Sequence, residues 1–261
     1  MRKLRPFLTG LVALSMLAFL VLQLVYSLQS GPGQQGSLRG TVRLGCEPYY
    51  PYQFENEDGR LSGMGVQLVR EAFTRAGYRV NLEPKEWYSL LEEVERGRLT
   101  ATTLAFHTAD RERFGTFSHA YFSMRLAVFY RLDRYSSVPS STDALLELAR
   151  RDQLKLGRAR AYAYPAEIET LFRDPVVGLR TLEAANEAQN LDNLINGRVD
   201  LVIGDDLAGT SYVMKNRWGD DIGRGTLDVE VRPVHLLYSK VGLDPEMVKR
   251  CLLYTSDAAD E

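Results

Sequence analysis

Twice in this chain a helix-like run stops at a glycine, is followed by arginine, and continues as an apolar β-rich run: Glu95-Arg96-Gly97-Arg98-Leu99 and Ile195-Asn196-Gly197-Arg198-Val199. Glycine ends a helix because it takes the left-handed backbone conformation without a Cβ penalty. Around both junctions short β-rich runs alternate with amphipathic helices, which commits the chain to α/β units with a largely parallel sheet. Nothing else aligns between the two series, so they are expected to form two similar lobes and not a tandem repeat.

In the first series Thr41–Gly45 reads as a strand and Val66–Ala76 as a helix, with Val66, Leu68, Val69, Ala72 and Phe73 near one face and Gly77 as its stop. Tyr78–Leu82, Trp87–Arg96 and Leu99–Thr103 continue as strand, helix and strand, and Leu126–Tyr130 follows as an apolar run. Asp133–Ser141, rich in serine and containing Pro139, is the expected linker. Beyond it, helix Asp143–Arg151 has Ser141 and Thr142 as cap candidates, Lys155–Gly157 is a strand, Pro165 opens a helix, and Ala185–Ile195 precedes strand Val199–Ile203. Val229–Val234 and Leu236–Ser239 are two late β runs.

A chain of 261 residues, 45% apolar and 25% charged with net charge -2, is globular material with no massed basic surface, so no nucleic-acid partner is expected. The one basic cluster, Arg2-Lys3-Arg5, precedes the apolar stretch Phe7 to Leu28 in the order of a secretory signal. The stretch approaches the roughly 20 residues that span a bilayer, so a cleaved signal peptide and a retained anchor both stay open. Residues 1–37 are therefore read as signal or signal-anchor plus a Gly-, Gln- and Ser-rich tether, and both readings place the folded part outside the cytoplasm.

At the other end, Cys251 to Glu261 reads as a translated sequencing adapter, which would make 251–261 a non-native tail with the natural chain cut near Arg250. The two cysteines, Cys46 and Cys251, form no export-type disulfide framework.

The chemistry-bearing residues cluster at the ends of these elements. Thr108-Ala109-Asp110-Arg111 is a helix start with a hydroxyl cap; its free N–H groups attract anions, and an arginine there adds a two-donor fork that matches a carboxylate. Equally, Arg111 could pair with a neighbouring acid. Asp205 stands where a strand ends and a helix begins, a place where an ionised acid holds an ammonium group or simply caps the helix. Tyr162-Ala163-Tyr164-Pro165 precedes another helix start. Tyr50, Trp87, Phe106 and Tyr162 are aromatic faces available to a ligand or to core packing. The three histidines, His107, His119 and His235, lack metal-ligand spacing, and neither a phosphate loop nor a nucleophile elbow occurs, so neither metal, cofactor nor catalysis is expected.

Two sets of segments carry a family resemblance. Pro48-Tyr49-Tyr50-Pro51-Tyr52-Gln53-Phe54 running to Gly63-Met64-Gly65-Val66, with Thr108-Ala109-Asp110-Arg111 running to Phe117-Ser118-His119-Ala120-Tyr121-Phe122, resembles the first lobe of family 3 bacterial periplasmic solute-binding proteins of the polar amino acid type. Asn196-Gly197-Arg198-Val199-Asp200-Leu201-Val202-Ile203-Gly204-Asp205 is similar to that family's second-lobe motif Gly-x-x-Asp-x-x-x-x-Asp. The resemblance implies a type II periplasmic-binding-protein-like α/β fold, two Rossmann-like lobes joined by a two-strand hinge. Lobe 1 would be discontinuous, 38–132 with 232–250, and lobe 2 would be 133–231, with the hinge near Leu132–Arg134 and Val231–Val234.

By the same resemblance Arg111 grips the α-carboxylate of an amino acid, aided by Thr108, and Asp205 holds its amino group, with Glu47 as a weaker ammonium contact and Tyr50, Trp87, Phe106 and Tyr162 around the side chain. A monomer delivering its ligand to an ABC permease is implied. The alternatives are a membrane-anchored sensory or inactive relative that signals to a receptor, and a dehydratase-like enzyme on the same fold. The chain departs from the family pattern at Gly65, Thr100, Ala120, Phe106-His107 and Ala161-Tyr162. Asp200 is read as structural.

Overall fold

The computed structural model describes residues 39–242 and 244–250. The expected signal or anchor segment, its tether, the expected tail and Cys251 lie outside the described residues. Among the described residues no helix is long and apolar enough to cross a membrane.

Strand β1 (Gly40–Cys46) leads through a small hairpin, β2 (Phe54–Glu55) and β3 (Leu61–Ser62), into helix α1 (Met64–Arg75), strand β4 (Tyr78–Pro84), helix α2 (Trp87–Glu95) and strand β5 (Ala101–Ala105). The one-turn helix α3 (Ala109–Glu112) and strands β6 (Gly115–Phe117) and β7 (Phe122–Met124) follow. β1 pairs in parallel with β4 and β5, so the helices between them cover the sheet as crossovers. Helix α1 buries Val66, Val69, Ala72 and Phe73, the stripe its 3.6-residue period presents inward.

After Arg125 the chain enters a second sheet. Strand β8 (Leu126–Arg131) is followed by α4 (Thr142–Arg151), β9 (Leu156–Ala159), α5 (Ala166–Arg173), β10 (Leu182–Ala184), α6 (Glu187–Ile195), β11 (Leu201–Asp205), α7 (Asp206–Lys215) and β12 (Ile222–Thr226). The strand order is β10-β9-β11-β8-β12. Finally β13 (Arg232–Ser239) returns to the first sheet, whose order is β4-β1-β5-β13-β6, with β7 paired to another stretch of β13. Each sheet thus has three parallel strands beside one antiparallel strand supplied across the crossing: β8 enters the second sheet from the first lobe, and β13 enters the first from the second.

This exchange corrects the lobe boundary expected at residue 132. Leu126–Arg131 is a fully internal strand of the second lobe, and the crossings fall at Arg125 and in 227–231. An apolar run buried on both faces fits the middle of either sheet, so its pattern alone does not say which. The serine-rich stretch after it is not a linker between lobes. It is tied down within the second lobe by the Arg134–Asp200 ion pair, by Tyr135 Oη donating to Asp152 at 2.9 Å, and by Ser140 Oγ donating to Asp228 at 2.7 Å. The two late β runs are one strand, β13, with a register irregularity between His235 and Leu237. β12, with its two glycines, has no β-rich run to mark it in the sequence.

The paired junctions that open the sequence are superimposable in their bonding. Gly97 and Gly197 have φ +70° and +68°, and Arg98 N donates to Glu93 O at 2.9 Å as Arg198 N donates to Asn193 O at 2.8 Å, a Schellman stop in each lobe. Asp200 then accepts from the backbone N of Lys155 at 2.8 Å, while Thr100 in the equivalent place takes a longer bond of 3.4 Å from the N of Arg43. Asp200 thus serves the start of the second sheet.

Separate cores hold the lobes. Phe73, Leu44 and Tyr238 centre one, and Leu145, Leu156 and Ile168 another, each below 2% exposed. Burial of one such aliphatic or aromatic side chain is worth about 1.5–3 kcal/mol. Met247 and Val248, within the helical residues 245–250, pack into the first lobe's cluster. A small apolar cluster of Tyr52, Met124, Ala208 and Val234 joins the lobes at the crossings.

Candidate ligand-binding cleft

The carboxyl ends of β1, β5 and β11 face one another across the lobes, the place where ligands sit in open α/β sheets. The cleft between them is lined by Glu47, Tyr49, Gln53, Trp87, Phe106, Arg111, Tyr162, Glu187 and Asp205, among others.

Arg111 is 5% exposed, and its guanidinium lies 5.0 Å from the centre of the Trp87 ring. Thr108 caps α3 by accepting from the Arg111 N at 3.3 Å, which fixes the arginine's backbone. One guanidinium nitrogen donates to Phe106 O at 2.8 Å, within its own lobe, and the other to Ala161 O at 3.0 Å, on the second lobe. Trp87 Nε1 donates to the same Ala161 oxygen at 3.0 Å. Among the described residues no carboxylate lies within ion-pair distance of Arg111. Burial, with Arg232 nearby, lowers its pKa to about 10. Ala161 and Leu104 hold φ +58° and +56°, a left-handed conformation costing non-glycine residues about 1–3 kcal/mol; Leu104 lines the cleft, and Ala161 O is the shared acceptor of Arg111 and Trp87.

Three acids outnumber that cation on the cleft wall. Glu47, Glu187 and Asp205 are 6%, 4% and 3% exposed, and each receives a tyrosine hydroxyl from the opposite lobe. Tyr162 Oη donates to Glu47 Oε2 at 2.6 Å, Tyr49 Oη to Glu187 Oε2 at 2.7 Å, and Tyr52 Oη to Asp205 Oδ1 at 2.9 Å. Asp205 also caps α7 through Ala208 N at 2.8 Å, so the capping role weighed from sequence is real. Its other oxygen, Oδ2, together with Oε1 of Glu47 and Oε1 of Glu187, is buried and accepts no hydrogen bond among the described residues.

Burial raises all three carboxyls. Glu47 is pushed up to about 7 despite the Tyr162 hydroxyl, Asp205 to about 6 despite the Ala208 N–H and Tyr52, and Glu187 to about 8 with the Asp205 charge adding to burial.

Of the residues expected at a ligand, Arg111, Asp205, Trp87, Phe106, Tyr162 and Glu47 come together on this wall. Tyr50 does not: it is 39% exposed, packs on Phe54 with ring centres 4.8 Å apart, and carries Lys215 over its face. The neighbour Tyr49 lines the cleft instead, and Tyr52 packs in the cluster at the crossings with its hydroxyl on Asp205. Thr108 caps α3 and is not among the residues lining this cleft.

Sequence reasoning also missed Glu187 and Arg232. Glu187 follows the N-cap Asn186 and reads as an ordinary solvated acid in a helix's first turn. The one sequence signal is Gly204, whose missing Cβ makes room for the Glu187 carboxyl group. Arg232 lies 4.1 Å from the Phe106 ring centre and donates to Ala163 O, fastening the start of β13 to the second lobe. Cys46 is buried and unpaired, its thiol pushed up to about 12 by burial. Among the described residues no cluster of three metal-ligating side chains is placed to hold a metal ion.

Two α/β lobes that exchange a strand at each crossing, with a charged and aromatic cleft between their strand ends, define a bilobed periplasmic-binding-protein-like fold. Residues 42–171 match the model of bacterial extracellular solute-binding proteins, family 3, and the chain belongs to that family. It is 23% identical over 179 residues to the L-cystine-binding protein TcyJ of Escherichia coli (strain K12), a match covering 68% of this chain and 63% of that relative's length. Among solved structures, an ancestral arginine-binding protein bound to arginine superimposes with TM-score 0.73 at 20% identity, covering 86% of this chain and 94% of that one. A histidine kinase sensor domain with similarity to periplasmic binding proteins gives TM-score 0.71 at 19% identity, covering 84% and 90%.

Proposed function

We propose that this protein captures a small zwitterion, an amino acid, between its two lobes outside the cytoplasm and presents the closed form to an ABC permease. One observation carries this reading: a buried guanidinium with no acid partner and a buried carboxylate with an oxygen free, Arg111 and Asp205, line the same cleft from opposite lobes. A ligand carrying both charges supplies what each lacks, and water exclusion on closure strengthens both contacts. The family match and the amino-acid-binding relatives support the ligand class.

Arg111 offers a planar fork that a carboxylate accepts in two bonds. Thermal-shift measurement of the full chain against the amino acids, beside Arg111→Ala, tests the proposal. A true ligand at about a hundred times its Kd adds about 2.7 kcal/mol to the folded state, and this gain is expected to vanish in the variant. A folded protein that responds to no amino acid overturns the reading.

A second reading, a sensory relative that signals through a retained membrane segment, is favoured by the apolar run Phe7 to Leu28 and by the likeness to the kinase sensor domain. It predicts that Phe7–Leu28 stays in the mature protein and that the protein fractionates with membranes. Release into the soluble extracytoplasmic fraction favours delivery to a permease.

A further inference from the structure

The charges on the cleft wall do not balance for a simple zwitterion. One ammonium group answers Asp205 and one carboxylate answers Arg111, which leaves Glu187 and Glu47, both more than nine-tenths buried, each with an oxygen that accepts no hydrogen bond among the described residues. The second arginine near the site does not offset them: Arg232 is stacked on Phe106 and bonded to Ala163 O, and it is not part of the cleft wall.

Glu187 is placed with some care by the fold. Its Oε2 accepts from Tyr49 Oη at 2.7 Å and from Asp205 N at 2.8 Å, and the space its carboxyl group occupies exists because residue 204 is glycine. These bonds hold Glu187 and Asp205 side by side at the end of β11, while Glu47 stands at the end of β1 on the other lobe.

Resting on the amino-acid-binding reading above, we propose that the ligand is a dibasic amino acid, carrying one carboxylate for Arg111 and two cationic groups for the Glu187–Asp205 pair and Glu47. An uncharged or acidic side chain would leave at least one of these carboxyls without a cation, so that it stays protonated and the charge-assisted contact it is placed to make is forfeited. The aromatic faces of Trp87, Tyr49 and Tyr162 suit the aliphatic stem and the cation of such a side chain. The raised carboxyls fit the same reading, since a cation entering the cleft would draw them into the ionised form.

The test is calorimetric titration of the full chain, purified in detergent, with four probes that differ by single groups. L-lysine carries all three charges; L-norleucine lacks the second cation; cadaverine lacks the carboxylate; L-cystine carries two carboxylates and two ammonium groups. A charge-assisted contact is worth about 1.5–3 kcal/mol, or about ten- to a hundredfold in Kd, so lysine is expected to bind about that much more tightly than norleucine and than cadaverine. Glu47→Gln and Glu187→Gln, which keep an acceptor for the tyrosines, are expected to shrink the preference for lysine over norleucine. Norleucine or cystine binding as tightly as lysine overturns the dibasic assignment and leaves the amino-acid reading standing. Cadaverine binding as tightly as lysine removes the carboxylate role of Arg111. Failure of every probe, with the protein folded by circular dichroism, overturns both.

Discussion

The Tyr162 hydroxyl of the second lobe donates a 2.6 Å hydrogen bond to Glu47 Oε2 of the first. With Tyr49 to Glu187 and Tyr52 to Asp205, it makes three tyrosine–carboxylate bonds that cross the cleft, two running from the first lobe and one from the second. The same carboxylates are the cleft's only acids among its described lining residues, so the groups proposed to meet a ligand also fasten the lobes. On that proposal closure and recognition are coupled through shared carboxyl groups.

Tyr162→Phe isolates one of these fasteners. The ring and its edge contacts with Trp87 and Tyr49 remain, at centroid distances of 6.5 and 6.4 Å, while Glu47 loses its hydroxyl partner. Leaving a buried acceptor unsatisfied costs about 1–3 kcal/mol. The variant is expected to lose stability of that order in urea unfolding and to show a larger radius of gyration by small-angle scattering in the absence of ligand. Unchanged scattering and unchanged stability would mean that the hydroxyl does not hold the lobes together.

The raised carboxyls make a signed prediction about pH. Glu47 and Glu187 stand near 7 and 8 in the folded protein against an ordinary value of 4.5, and Asp205 near 6 against 3.8. The folded state therefore holds more protons than the unfolded chain over that interval, and stability falls as pH rises through it. Without ligand, the thermal midpoint is expected to decline between about pH 5 and pH 8. The groups facing Glu187 are Tyr49, Tyr52, Tyr162, Tyr164, Asp205 and Glu47, and Asp206 flanks Asp205, so the decline belongs to the set and not to one acid. Glu187→Gln is expected to flatten the upper part of the curve. A midpoint that rises across the same interval contradicts the assignment.

Much of this arrangement was legible in the residues. The two glycine-stopped junctions gave the two lobes, and Thr108 through Arg111 and Gly197 through Asp205 pointed to strand ends on both sides of one cleft. Three things were not legible, each for a physical reason. Leu126–Arg131 is apolar on both faces and fits either sheet, so the crossing was misplaced. In Tyr49-Tyr50-Pro51-Tyr52 the ring that turns outward is decided by the loop backbone and not by residue type. Glu187 sits at a helix start, where acids are common for the dipole alone, and only the packing of its carboxyl group against Gly204 reveals that it points inward.

Gly204→Ala turns that last contact into a measurement. A Cβ at residue 204 would lie 2.7 Å from Glu187 Oε1 and closer still to the rest of its carboxyl group, tighter than real Cβ contacts allow. The neighbouring atoms belong to a side chain that can shift, so the strand is expected to persist and the Glu187 carboxylate to move off the Asp205 N and the Tyr49 hydroxyl. Because Asp205 N would lose its acceptor while buried, a stability cost of about 1–3 kcal/mol should accompany the change. In the double variant Gly204→Ala with Glu187→Ala the steric conflict is gone, so the two effects should be strongly non-additive. A double-mutant cycle in urea reads this directly. Additive costs would mean that Gly204 is needed for the strand itself and that Glu187 is not held where the cleft requires it.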